Sequence, residues 1–171
     1  MKITIGHLYY DILNLYGENG NVLALEKYLT DQKIKVTIKK LSIGDNINFD
    51  KLDIIYIGSG TLTNLLVCLK DIYQYKINIM KNIEANKLFL ATGNSYNIFG
   101  EHIETLDKKK HNALGIYDYH AKEEEIRIME EATFKYSYIS NPVFGFQNHN
   151  LITLKNNNPM FEVIKGVGSY K

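Results

Sequence analysis

Residues 87–100, KLFLATGNSYNIFG, decide how the rest of the chain is read. The stretch opens on a short apolar run, Leu88-Phe89-Leu90-Ala91, bounded by turn formers, which reads as a strand buried on both faces. A sharp turn follows, Thr92-Gly93-Asn94-Ser95, and then apolar residues at helical spacing, Tyr96, Ile98 and Phe99, with Gly100 as a stop. Strand, tight turn and helix are the geometry of a nucleophile elbow, which holds one side chain out above the end of a sheet. The tip of such an elbow takes a strained backbone conformation, commonly with positive φ. Here the tip is Gly93, which takes that conformation without steric cost and carries no reactive atom. The turn keeps a catalytic shape and lacks the chemistry.

Upstream, residues 2–8 are β-branched and alternating, which predicts a first strand. Asn21 is placed to cap a helix running to about Thr30, with Val22, Leu25 and Leu29 on its buried face. Ile34, Val36 and Ile38 alternate with Lys35, Thr37 and Lys39, the pattern of a half-buried strand near a sheet edge. Ile54-Ile55-Tyr56-Ile57 predicts a central strand ending in Gly58-Ser59-Gly60. Helical spacing then runs through Leu62, Leu65, Leu66, Leu69, Ile72 and Tyr73, and again through Ile79, Met80 and Ile83. Short apolar strands alternating with amphipathic helices argue for an α/β fold, a flavodoxin-like open sheet, mostly parallel, flanked by helices.

Downstream of Gly100 the pattern turns to hairpins. Residues 114–119 read as a strand, and Glu123-Glu124-Glu125 as a loop or turn. From Ala132 onward Phe134, Tyr136 and Tyr138 point one way. Asn141-Pro142 makes a turn, residues 143–146 a strand and residues 161–164 another, so antiparallel strands are expected in the C-terminal part. No repeat, low-complexity tract or linker interrupts the 171 residues, which predicts a single domain over 1–171.

A net charge of +1 implies no strong nucleic-acid or membrane field. No run approaches the ~20 apolar residues of a membrane span. Cys68 is the single cysteine, so no internal disulfide can form and a reducing, cytoplasmic setting is expected. It sits between Val67 and Leu69 in a helical pattern, where a thiol is ordinarily buried and inert. His102, His111 and His120 have no partner at zinc-site spacing, and no phosphate-loop lysine follows the glycine turns. Neither metal nor cofactor is expected.

LATGNSYNIFG resembles the elbow of class I glutamine amidotransferases, usually L-A-x-C-G-G-Y-Q-x-x-G. The branch it is most similar to is the cobyric-acid-synthase-like group that includes the GatD glutaminase, which pairs with the MurT ligase. LYYDILNLYGENGNVLALEKYL resembles the family's D-x-x-N-x-Y-G-x-x-G-N opening, and VFGFQNHN its G-F-E-N-H motif, with Gln147 in the glutamate position. Gly115-Ile116 and Gly166-Val167-Gly168 have counterparts too. The resemblance places the catalytic cysteine on Gly93, the next two glycines on Asn94 and Ser95, and Tyr-Gln on Tyr96-Asn97.

Glutamine hydrolysis needs a thiolate, an adjacent histidine and backbone N–H groups for the oxyanion. The resemblance implies a histidine in a late Leu-His-Gly-like motif. The sequence reaches Lys171 before such a motif, so the family's C-terminal end is expected to be missing along with the cysteine. The non-covalent parts are better kept. Gly58, Ser59, Gly60, Asn94, Ser95 and Tyr96 are the pocket and oxyanion candidates. Arg127, near the family's glutamine-holding arginine, and Asn148 and His149 are the substrate-binding candidates, for glutamine or a small carboxylate. The expected role is an inactive binding or scaffold partner of a Mur-ligase-like amide ligase, in peptidoglycan precursor amidation. The alternatives are an active hydrolase using Ser95, against the simpler reading that Asn94 or Ser95 caps the following helix, and a truncated, functionless homologue.

Overall fold

The computed structural model describes residues 1–168. Two compact units divide it, Met1–Ile98 and the part from Phe99 onward. Lys171, where the sequence reading sets the missing C-terminal end, lies outside the described residues.

In the first unit, β1 (Lys2–Leu8), β2 (Lys35–Leu41), β3 (Ile54–Ile57) and β4 (Leu88–Ala91) form a parallel sheet in the order β2-β1-β3-β4. Three helices accompany it: α1 (Glu18–Asp31), α2 (Leu62–Ile72) and α3 (Lys76–Glu84). The two-residue side-chain period of β1 sends Ile3 and Ile5 to one face, in register with Val36 and Ile38 of β2. Val22, Leu25 and Leu29 of α1 pack there with Ile5, Ile54 and Tyr56. Burying each such aliphatic side chain contributes roughly 1.5–3 kcal/mol. Ile55 and Ile57 project to the opposite face, and α2 and α3 bury Leu65, Leu69, Ile72 and Ile79. The α/β architecture read from the sequence is the one observed, with β2 at an edge and β3 buried throughout.

The chain leaves β1 for β2 on one side and β3 for β4 on the other. The carboxyl ends of β1 and β3 therefore flank a topological switch point, where open α/β sheets bind ligands.

Local expectations need correction. α1 begins at Glu18 and is capped by Gly17 at φ +79, not by Asn21, because the glycine reverses the chain one turn earlier. β4 is not buried on both faces. It lies at the outer edge of the parallel sheet among the described residues, and Leu88 and Leu90 are 55% and 42% exposed. After the elbow the chain winds as a 3-10 helix, Gly93–Phe99, and not as an α-helix.

The second unit is a mixed sheet of β5 (His102–Glu104), β6 (Lys110–Asn112), β7 (His120–Lys135), β8 (Val143–Leu154) and β9 (Glu162–Lys165), ordered β6-β5-β7-β8 with β9 on β7. β7 pairs antiparallel with β8 and β9, as the hairpin signals predict, and parallel with β5. Residues 114–119 form no strand. Their backbone instead folds back, with Gly115 and Ile116 N–H donating to the Gly100 and Phe99 carbonyls. Glu123-Glu124-Glu125 lies inside β7, not in a loop, where the register against β8 shifts between Glu123 and Ile128. β7 stops at Lys135, so Tyr136 and Tyr138 sit in the turn. No helix among the described residues is long and apolar enough to cross a membrane.

Candidate functional site

β4 hands the chain to the elbow through Thr92, whose N–H donates to the Ile57 carbonyl at 3.0 Å and keeps the turn against the end of β3. Gly93 then takes φ +57, in the left-handed region, at an exposed tip. A Cβ built on Gly93 would stand 2.5 Å from Ser59 Cβ and 3.1 Å from Ser59 Oγ. The space a tip side chain would need is thus occupied by the serine of the neighbouring turn.

Ser59 is held there by Glu18. Its hydroxyl donates to Glu18 Oε1. The other carboxylate oxygen accepts from Tyr56 Oη, from Thr92 Oγ1 at 2.7 Å and from Asn21 Nδ2 at 2.9 Å. Four elements converge on one buried acid: the first turn of α1, the end of β3, the glycine turn after it and the entry to the elbow. Burial by itself would raise the Glu18 carboxyl, but the donors from Ser59, Tyr56 and Thr92 outweigh it and hold the pKa below its ordinary value. Tyr56 responds in the opposite sense: burial and the adjacent Glu18 carboxylate push its phenol up to about 12. Gly58 must lack a side chain, since a Cβ would meet the Leu13 carbonyl oxygen and stand 2.7 Å from Glu18 Cβ.

Asn94 ties the two turns together. Gly60 N–H donates to Asn94 Oδ1 at 3.2 Å, and Asn94 Nδ2 donates to the Gly60 carbonyl at 2.7 Å. This amide clamp already uses a backbone N–H that an oxyanion would need. Ser95 is fully buried, and its hydroxyl donates to the Ile57 and Thr92 carbonyls at 2.9 and 2.8 Å. Both partners are acceptors that cannot take its proton. Tyr96 is half-buried in the same 3-10 segment.

The second unit groups the other three candidates on the β7–β8 hairpin. Arg127 Nη1 donates to the Asn148 carbonyl at 3.0 Å and to Asn148 Oδ1 at 2.9 Å. His149 Nδ1 lies 3.2 Å from the Leu151 carbonyl, which sets the proton on Nδ1. Burial, with Arg127 nearby, keeps its imidazole below the usual pKa, the Leu151 contact offsetting part of the effect. Among the described residues no group of three or more His, Cys, Asp or Glu is placed to hold a metal ion.

The sequence reading brings Gly58, Ser59, Gly60, Gly93, Asn94 and Ser95 to one place, and misses Glu18. A buried tyrosine hydroxyl needs a partner, so Tyr56 inside an otherwise aliphatic strand was the signal that a polar group waits beneath β3.

The family model for the CobB/CobQ-like glutamine amidotransferase domain matches residues 4–170. The chain belongs to this family. Among CobB/CobQ-like amidotransferases, the chain is similar to subunit GatD of lipid II isoglutaminyl synthase (glutamine-hydrolyzing) from Staphylococcus aureus (strain N315). The two are 28% identical over 148 residues, 86% of this chain and 60% of that protein. It is also 23% identical over 171 residues to the subunit of the same name from Streptococcus pneumoniae (strain ATCC BAA-255 / R6), covering 98% of this chain and 66% of the relative. The chain thus spans slightly under two thirds of the length of these curated relatives.

Proposed function

We propose that this chain is a GatD-like amidotransferase subunit that does not hydrolyse glutamine and serves as a binding or scaffold partner of an amide ligase. The observation that carries the reading is the occupied corner at Gly93. The tip has no side chain, and Ser59 fills the space above it. The clamp of Asn94 on Gly60 and the inward-turned Ser95 hydroxyl support the same reading. Removing a nucleophile typically costs on the order of a millionfold in turnover.

Both relatives are named as subunits of a lipid II isoglutaminyl synthase, which supports a synthase partner that works on lipid II. A partner of the Mur-ligase type and a cytoplasmic setting belong to the same proposal. On this reading the two compact units act together as one amidotransferase-like domain. Arg127, Asn148 and His149 supply contacts for glutamine or a small carboxylate.

The deciding experiment measures ammonia release from glutamine by the purified chain, alone and with Gly93→Cys, Ser59→Gly and the pair combined. No release by the natural chain is expected. Turnover by it overturns the reading, and loss of that turnover in Ser95→Ala would assign the activity to Ser95. Co-purification with a ligase subunit from the source cell tests the partner.

A further inference from the structure

Asn94 and Gly60 meet as a small ligand meets its site. Asn94 Oδ1 accepts from Gly60 N–H at 3.2 Å and Asn94 Nδ2 donates to the Gly60 carbonyl at 2.7 Å, so one carboxamide engages both polar groups of one buried residue. The cradle is fixed without help from Asn94. On one side of Gly60 the Ser59 carbonyl accepts from Leu15 N–H at 3.0 Å, and the Ser59 hydroxyl donates to Glu18. On the other side Thr61 caps α2 by accepting from Asn64 N–H at 3.2 Å, while Asn64 Nδ2 donates to the Ile12 carbonyl at 3.1 Å. Gly60 precedes that cap, so its N–H is not one of the free donors of the helix itself.

We propose that the Gly60 backbone is a binding site for a primary carboxamide and that Asn94 is its built-in occupant, a side chain that fills the site in place of a free amide. The chemistry selects this class of ligand. The Gly60 N–H needs an acceptor and the Gly60 carbonyl needs a donor. A primary amide carries both on adjacent atoms, whereas a carboxylate carries acceptors only and would set an oxygen against that carbonyl. A buried carbonyl left unpaired costs free energy, so the site discriminates against the carboxylate. The same contact joins the turn after β3 to the elbow after β4, so occupancy by the side chain also holds the two turns together.

Because Asn94 is part of the chain, its amide is present at the site at a high effective concentration, and a free amide competes poorly with it. The natural chain thus keeps the site closed to small amides, and shortening Asn94 opens it. The inference rests on the proposed reading of an elbow that holds a ligand without reacting with it. Ammonia release from glutamine fails that reading, while the test below is read by binding alone, so the two can fail separately.

Asn94→Gly deletes the atoms that acetamide returns, which makes acetamide the probe. In heteronuclear NMR the Gly60 amide resonance of Asn94→Gly should shift and saturate as acetamide is added, with a dissociation constant of roughly 1–100 mM, the range open to so small a ligand. Acetate at matched ionic strength should leave it in place, and the natural chain should show no saturable shift with either. Asn94→Ala with formamide repeats the test in a second background. The natural chain adds a measurement that needs no variant: the Asn94 side-chain amide protons should exchange with solvent at least about tenfold more slowly than those of exposed Asn46. A Gly60 resonance that ignores the amide in a folded variant, or follows acetate equally, overturns the proposal. So does a natural chain that responds to acetamide as the variant does, or Asn94 protons that exchange as fast as those of Asn46.

Discussion

Ser59 and Gly93 are complementary: the side chain of one occupies the space that a side chain on the other would require, with 2.5 Å between Ser59 Cβ and a Cβ built on Gly93. Gly93→Cys must therefore meet two costs, a left-handed φ of +57 and a collision with Ser59. Together they should destabilise the chain by about 3 kcal/mol. Ser59→Gly alone loses the bond to Glu18, on the order of 1–2 kcal/mol. Because the two changes share one space, the double variant should be more stable than the sum of the single effects by at least about 1 kcal/mol. Urea unfolding of the four proteins measures this coupling, and strict additivity would mean that the two residues do not touch.

That complementarity was only half legible. Positive φ at Gly93 followed from the strand–turn–helix pattern, whereas Ser59 above it depends on β3 and β4 being neighbours, a fact of topology and not of local sequence. The parallel sheet was readable because Ile54–Ile57 and residues 2–8 carry strong strand patterns. β4 misled, since Leu88-Phe89-Leu90-Ala91 has the composition of a buried strand and lies at an edge. Glu123-Glu124-Glu125 misled in the other direction: adjacent acids suggest a loop, yet a long hairpin carries them across an irregularity where the register slips. Glu18 was hidden because a polar residue after Tyr16-Gly17 looks like ordinary loop, and only assembly of four elements makes it a core acid.

Glu18 makes part of the stability depend on acid. Its pKa is depressed in the folded state, so its contribution is fully present above the ordinary value of 4.5 and is lost as pH falls from there through the lowered native value. Glu18→Ala, which leaves Tyr56, Thr92 and Ser59 without their shared acceptor, should cost about 3 kcal/mol at neutral pH. Glu18→Gln should cost less and should remove this acid dependence below pH 4.5. Denaturant midpoints at neutral pH and across the acid range check both. An unchanged acid limb in Glu18→Gln would mean another group controls it.

His7 acts in a higher window that meets the Glu18 window at its acid end. It is buried against Tyr56, with ring centroids 5.2 Å apart, and its Nε2 is buried with no hydrogen-bond partner. Burial, and then the nearby Lys40 charge, lower its pKa from 6.5 to about 4, while Glu18 opposes the shift. The unfolded chain takes up a proton at higher pH than the folded one, so stability is greatest above pH 6.5 and falls as the pH drops towards about 4. The full loss is about 3 kcal/mol. His7→Gln should flatten the stability profile between those limits and leave the Glu18 limb in place. Unfolding followed at closely spaced pH values separates the two; a profile that keeps its slope in His7→Gln would refute the assignment.

Cys68 supplies a probe of the core of the first unit. It lies buried in α2, where burial, and then the negative charges of Asp71 and Asp11, push its thiol up to about 12. Only the thiolate reacts with disulfide reagents. At mildly alkaline pH the thiolate fraction is then about a thousandfold below that of an unperturbed thiol, before any barrier to access is counted. Modification should therefore wait for opening of α2 from the sheet and should track unfolding as denaturant rises. In native buffer the label should scarcely appear, and Gly145→Cys should add one fast-reacting thiol to this silent background. Rapid labelling of the natural chain under native conditions would show that the face of α2 bearing Leu65, Cys68 and Leu69 is open to solvent.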